Sequence, residues 1–352
     1  MAILEDITIG ADLSPEQCTQ VESLLTEFAD CFALSLGEVL PVKGAEHHLN
    51  IPEGSKFHTR VNQRPLSPLQ KVFYNGVIDK MLDADIICLI PAADIKCCGA
   101  TTLAKKAHEG GGLLLEELQL KVNDLCTEEG YKPAFVNLLL PWSPAPDEPR
   151  DKHFPEPKQK WQVCQDFPDV NKVTKVVPMP QGDIRMKQHQ LSSHRWISTF
   201  NFAAGFYTCL IPVEEQPYIC FYVKGRGYFS YKQMLFGLTG ALSTFAGMTA
   251  NTLGDLVGTI FKLFVDDGGM AGDIFKESIV NIQILLTHIW ETGLSLFAAK
   301  SGFFQTEATF AGAQVGPSGI KPDLTKLTSI IDWDTPHNLQ NLSSFLGLTG
   351  YF

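Results

Sequence analysis

Ile260-Phe261-Lys262-Leu263-Phe264-Val265-Asp266-Asp267-Gly268-Gly269 is the stretch on which the fold turns. An apolar run rich in Phe, Leu and Val ends in two adjacent carboxylates, and a glycine pair follows at once. Such a run reads as a buried strand, and Asp-Gly as the tight turn of a hairpin. Two acidic side chains at a strand end are costly to bury unless positive charge sits on them, and a divalent cation is one candidate. A plain solvated turn is the other reading, because Asp and Gly dominate turns. The stretch alone leaves both open.

Outward from it, apolar spacing predicts a helix over 276–291 and a strand over 294–298 on the C-terminal side. On the N-terminal side it predicts a helix whose buried face is Leu242, Phe245, Met248 and Leu253. Before that come a hairpin of strands 218–223 and 228–231 across Lys224-Gly225-Arg226-Gly227, a strand from Trp196 that ends at Asn201, and a strand over 161–167. This order gives an α+β layout, with helices packed on one face of a small antiparallel sheet.

Further upstream, Ser14-Pro15 with Gln17 three residues after the serine predicts a capped helix, with Val21, Leu24, Leu25 and Phe28 at helical spacing. Ser67-Pro68 opens a second helix, expected to bury Val72, Phe73, Val77, Ile78, Met81 and Leu82. A strand or short extended run is expected over 85–90. Residues 107–159 interrupt the pattern: a Gly-Gly-Gly at 110–112, room for a helix over 113–122, then a Pro-rich charged run over 138–160. They read as an inserted flexible segment.

The 352 residues are 45% hydrophobic and 19% charged, which describes a globular chain with a sizeable core. A net charge of -11 argues against a large basic nucleic-acid surface while allowing a local basic groove. The nine cysteines form no CxxC pair and are read as reduced, mostly core thiols in an intracellular compartment, cytoplasm or nucleus. Neither a membrane-spanning run nor a signal segment is visible. The dinucleotide, P-loop and EF-hand patterns are not met, and His47-His48, without a partner at metal spacing, is expected at the surface.

Six motifs between 161 and 352 follow one order. They are Trp161-Gln162-Val163-Cys164-Gln165-Asp166-Phe167 with Asn171-Lys172, Ile197 to Tyr207, Phe236-Gly237-Leu238-Thr239-Gly240 to Phe245, Phe264-Val265-Asp266-Asp267, Gly293-Leu294-Ser295-Leu296 with Lys300, and Phe310-Ala311-Gly312 with Gly319 to Asp323 and the 344–351 run. Together they resemble the reverse transcriptase of Ty3/gypsy-type long-terminal-repeat retrotransposons, most of all the fungal branch. The resemblance implies a right-hand polymerase of palm and fingers with the start of a connection region. It suggests a lead-in over 1–56, part of the fingers over 57–106, the insert over 107–159, the fingers and palm core over 160–318, and a truncated connection over 319–352.

It also implies RNA-directed DNA synthesis by two-metal nucleotidyl transfer with Mg2+ or Mn2+, on template-primer nucleic acid and deoxynucleoside triphosphates. Asp266 and Asp267 fall on the metal-binding carboxylates, Lys300 on the residue that protonates the leaving group, and Phe206 on the gate against ribonucleotides. Gln162, Phe236 and Gly237 fall around the incoming nucleotide. No ribonuclease H, integrase or protease region follows, so a polyprotein fragment is expected.

The chain departs from the family at telling positions. Asn201 stands where the family carries an aspartate, Gln162 and Pro168 where it carries arginines, and Leu235 and Leu242 where it carries prolines. An amide keeps an oxygen but loses the charge that a hydrated divalent ion requires. An impaired polymerase is therefore the first expectation, and a non-catalytic retroelement relic, binding nucleic acid at most, the alternative.

Overall fold

Alternation along the strand Asp267–Gly272 builds two cores at once. Successive side chains of a strand point to opposite faces. Met270 packs into the main apolar cluster and Ala271 into a second, smaller one. The neighbouring strand Trp196–Asn201 does the same, with Trp196 and Phe200 on the main side and Ile197 on the other. The two strands pair antiparallel, and Asp267 lies opposite Asn201. Lys262–Phe264 flanks one edge. Gly302–Gln305 pairs with the other side of the Trp196 strand, and Thr8–Ile9 joins it in parallel, completing five strands.

The computed structural model describes residues 2–61, 63–105, 115–135, 161–176, 178–179, 182–203, 205–333 and 335–350. They fall into two bodies, one of Met1–Ala104 with Trp161–Ile320, the other of Lys105–Lys160 with Lys321–Phe352. The mobility expected of 107–159 concerns residues that lie largely outside the described ones. Within that stretch a helix runs over Leu115–Glu128, somewhat later than the spacing suggested.

On the main face of the sheet lie the two expected helices. Phe275–Thr292 buries Ile282, Leu285, Leu286 and Ile289, and Ala241–Leu253 buries Phe245 and Leu253. Leu242, expected in that face, is exposed. The opposite face carries elements that periodicity did not reveal: Leu191 of the short helix Ile184–Leu191, and Phe310 and Val315 of the hairpin Ala308–Phe310 and Ala313–Gly316.

The glycine pair is not the turn. Phe264 pairs with Asp267, so Val265 and Asp266 are the two loop residues and the glycines belong to the returning strand. Val265 has φ 58°, rare and strained for a β-branched residue, and positive φ at the first loop position alone is the type II′ pattern. The glycines provide space. A Cβ on Gly268 would lie 2.2 Å from Phe261 Cζ, and one on Gly269 2.5 Å from Leu191 Cδ1.

A second five-stranded sheet, ordered Ile87–Leu89, Gly227–Tyr231, Cys220–Val223, Cys98–Lys105 and Trp161–Asp166, takes up the predicted 218–231 hairpin. The single small antiparallel sheet expected from the order of elements is therefore two separate sheets. The expected strand over 294–298 shrinks to Leu296–Phe297, which pairs with Phe32–Ala33.

Both capped helices form as expected, Pro15–Glu27 behind Ser14 and Pro68–Asp83 behind Ser67, each with a complete capping box. The buried face of the second is Tyr74, Ile78 and Met81, whereas Val72 is exposed. His47 is buried at 2% exposure, against expectation: residues 45–50 alternate inward and outward, and of the two histidines His48 alone faces out. Pro168 removes no donor from the strand, which ends at Asp166. It is the first residue of the helix Pro168–Val173, where a missing N–H costs nothing.

All nine cysteines are free thiols, with Cys31, Cys97, Cys98, Cys209 and Cys220 buried. Among the described residues no helix is long and apolar enough to cross a membrane. The second body holds helices Leu115–Glu128, Leu324–Ile331 and Leu339–Thr349, with a Lys121–Asp332 ion pair and Trp333 against Phe345 at 6.2 Å.

Candidate active site

Directly opposed residues of an antiparallel pair carry side chains on one face with Cβ atoms about 5 Å apart. That places Asn201 against Asp267, on the face of the smaller core. The Asn201 Nδ2 donates to Asp267 Oδ1 at 3.0 Å and lies 3.4 Å from Asp266 Oδ2. Asp266 sits at the exposed corner of the turn, its carbonyl accepting from the Phe202 N–H at 3.0 Å.

Asp267 is half-buried, and burial pushes its carboxyl above the usual range. The Asn201 hydrogen bond opposes this, the Asp266 charge adds to it, and a backbone hydrogen bond from Ala311 and the charge of Lys300 oppose it weakly. The ionised form is thus the disfavoured one in the fold. Asp267→Asn should unfold at a higher temperature than the natural chain at pH 7. The gap should close as pH falls through the raised value, because Asp267 then becomes neutral too. Thermal melts across pH check this.

Two of the expected nucleotide residues meet. Phe206, half-buried in the turn Gly205–Thr208, lies 6.0 Å from Phe236 and 5.8 Å from Phe245, ring to ring. Gly205 permits this, since a Cβ there would lie 2.6 Å from Phe245 Cζ. Phe236 is 69% exposed, and Gly237 has φ +99° with Gln165 O only 3.2 Å from where a Cβ would be. Lys300 is exposed, over the Phe297 ring at 5.9 Å. Gln162 is exposed on the strand Trp161–Asp166, and nothing in the geometry draws it to the carboxylates.

Sequence reasoning missed three residues that shape the site. Asn171, quoted only as part of a motif, accepts from Thr239 N–H at 2.8 Å and donates to Gly237 O at 2.9 Å, clamping the loop that carries Phe236. Lys187 donates to Leu263 O at 2.7 Å, bracing the hairpin, and no sequence signal marks it. His47 bonds Thr244 Oγ1 at 2.8 Å beneath the helix Ala241–Leu253, and burial lowers its pKa to about 4.

The residues present do not fit a two-metal centre. Two carboxylates offer hard oxygens, but the third position presents an NH2 group toward them. Among the described residues no group of three or more His, Cys, Asp or Glu could hold a metal.

No family model matches the chain. It is 29% identical over 193 residues to the retrovirus-related Pol polyprotein from transposon 297 of Drosophila melanogaster, covering 55% of this chain and 18% of that protein. To the corresponding polyprotein of transposon opus from the same fly it is 23% identical over 236 residues, covering 67% and 23%. To the transposon Tf2-3 polyprotein of Schizosaccharomyces pombe it is 25% identical over 126 residues, covering 36% and 10%. Among solved structures, the foamy viral protease-reverse transcriptase in complex with RNA/DNA hybrid superposes with a TM-score of 0.70 at 17% identity, over 97% of this chain and 38% of that one.

The fold is that of a reverse transcriptase. The chain spans about a fifth of the length of the curated relatives from transposons 297 and opus.

Proposed function

We propose that this chain is the RNA-directed DNA polymerase region of a Ty3/gypsy-type long-terminal-repeat retrotransposon polyprotein, of the fungal branch, weakened by the amide at position 201. The observation that carries the reading is the meeting of Asn201, Asp266 and Asp267 on neighbouring palm strands of a reverse-transcriptase fold. Its substrates are a template-primer of RNA or DNA and deoxynucleoside triphosphates. Magnesium or manganese is the ion that this chemistry calls for, and a carboxylate at 201 is what the donor set lacks. Among this chain's own groups, Phe206 and Phe236 form an apolar floor for the incoming sugar and base. Asn171 fixes that floor from the fingers side, and Lys300 stands exposed near Asp267 as the proton donor to the departing pyrophosphate.

Primer extension with magnesium or manganese tests the reading: weak activity in the natural chain supports it, and robust activity in magnesium overturns the role given to Asn201. The second reading, a non-catalytic relic that at most binds nucleic acid, is favoured by the amide facing both carboxylates. It prevails if the double variant Asn201→Asp with Gln162→Arg is folded and inert.

The gate has its own test. Phe206 packs between Phe236 and Phe245, so its ring position is set. In the Asn201→Asp background, Phe206→Ala should raise ribonucleotide use relative to deoxynucleotide use, read from competing single-nucleotide extensions. An unchanged ratio makes Phe206 ordinary core.

A further inference from the structure

We infer that the Asn201 amide is a latch: it holds Asp266 and Asp267 together in place of a cation and closes the carboxylate pair to divalent ions, rather than serving them as a weak oxygen ligand. The inference deepens the polymerase reading of the same site and is tested without catalysis.

One NH2 group has two hydrogens, and here two acceptors lie within reach, Asp267 Oδ1 at 3.0 Å and Asp266 Oδ2 at 3.4 Å. Ionised carboxylates only accept, so the amide must turn its nitrogen end toward them. Among the described residues no lysine, arginine or histidine forms an ion pair with either carboxylate, which leaves Asn201 as the donor that both share.

The backbone keeps the three groups in place. Asp267 is locked opposite Asn201 by the ladder, and Asp266 is tied to the same strand through the Phe202 N–H at 3.0 Å. The backbones of the three residues are thus fixed relative to one another, and any opening of the pair requires a side-chain rotation. For the amide to become a ligand it must rotate half a turn about its Cβ–Cγ bond. Both carboxylates would then lose their shared donor, and the ion would gain only an uncharged oxygen.

The two roles predict opposite results when the side chain is removed. If Asn201 is a weak ligand, Asn201→Ala binds a divalent ion less well than the natural chain. If it is a latch, Asn201→Ala binds better, because two ionised carboxylates are released. Mn2+ is the probe, its free fraction read by electron paramagnetic resonance. We expect Asn201→Ala to bind it about tenfold more tightly than the natural chain. Asn201→Asp should bind more tightly still. Equal or weaker binding by a folded Asn201→Ala overturns the latch.

A measurement on the natural chain keeps the inference testable should the alanine variant not fold. The Asn201 side-chain amide signals in a 15N-labelled sample are identified by their loss in Asn201→Asp. They should stay in place at Mg2+ concentrations that saturate the aspartate variant. A shift of those signals over that range also overturns the latch. Neither readout depends on whether any variant synthesises DNA, so the polymerase reading can fail while the latch stands, and the reverse.

Discussion

Asn201→Asp should raise primer extension by about two orders of magnitude over the natural chain, the scale on which an active-site electrostatic contact acts, or about 2.7 kcal/mol in the barrier. The substitution is nearly isosteric, and Asn201 sits half-buried at the end of its strand, so packing is undisturbed. What changes is charge. Three carboxylates would then face one another across the Trp196–Asn201 and Asp267–Gly272 pair, a set that requires a cation. The variant should therefore be less stable than the natural chain without divalent ions and recover when they are added. Gln162→Arg should add separately, through triphosphate affinity more than through the chemical step, because a forked charged donor replaces an amide. Rates fitted against nucleotide concentration separate the two contributions. A folded double variant with no extension refutes the polymerase reading.

Gly268→Ala should cost about 2–3 kcal/mol of stability, near the upper end for forcing extra volume into a packed core. The new methyl would meet Phe261 Cζ at 2.2 Å, and Phe261 is itself fully buried, edge to face with Phe200 at 5.8 Å. Neither ring has room to retreat. Shortening the obstacle should restore part of the loss, so Gly268→Ala with Phe261→Leu should be more stable than the sum of the single changes. Denaturant titrations of the four chains measure this coupling. Strict additivity would mean that Gly268 is there for some reason other than space.

Much of this was legible in the sequence, for identifiable reasons. Ser14 and Ser67 announce their helices because capping is local chemistry, complete within four residues. The Phe275–Thr292 helix shows itself through apolar spacing. Asn201 and Asp266-Asp267 could be assigned to one site because ordered motifs resemble a known family. The site also contains what no local pattern holds. Gly268-Gly269 read as turn residues because the sequence does not say that Phe261 and Leu191 press on that strand. His47 looked like a surface residue until the 45–50 alternation set it under Thr244. Asn171 and Lys187 act on backbone atoms of segments distant in sequence, and backbone atoms have no sequence signature. The orientation of the Asn201 amide is likewise a property of the pair it faces.

The parallel pairing of Thr8–Ile9 with Gly302–Gln305 has a consequence for how the protein comes into being. The Gly10 N–H donates to Phe303 O at 2.9 Å, and a Cβ on Gly10 would lie 1.9 Å from Phe304 O, so the opening residues fit tightly against a strand made almost three hundred residues later. On the ribosome Thr8 and Ile9 cannot take up this pairing until Gln305 has left the exit tunnel. Such long-range closure is slow, and it exposes strand edges to wrong partners meanwhile. The carboxylate sheet should accordingly refold more slowly than the helices form, and a chain interrupted before Gly302 should emerge without that sheet closed.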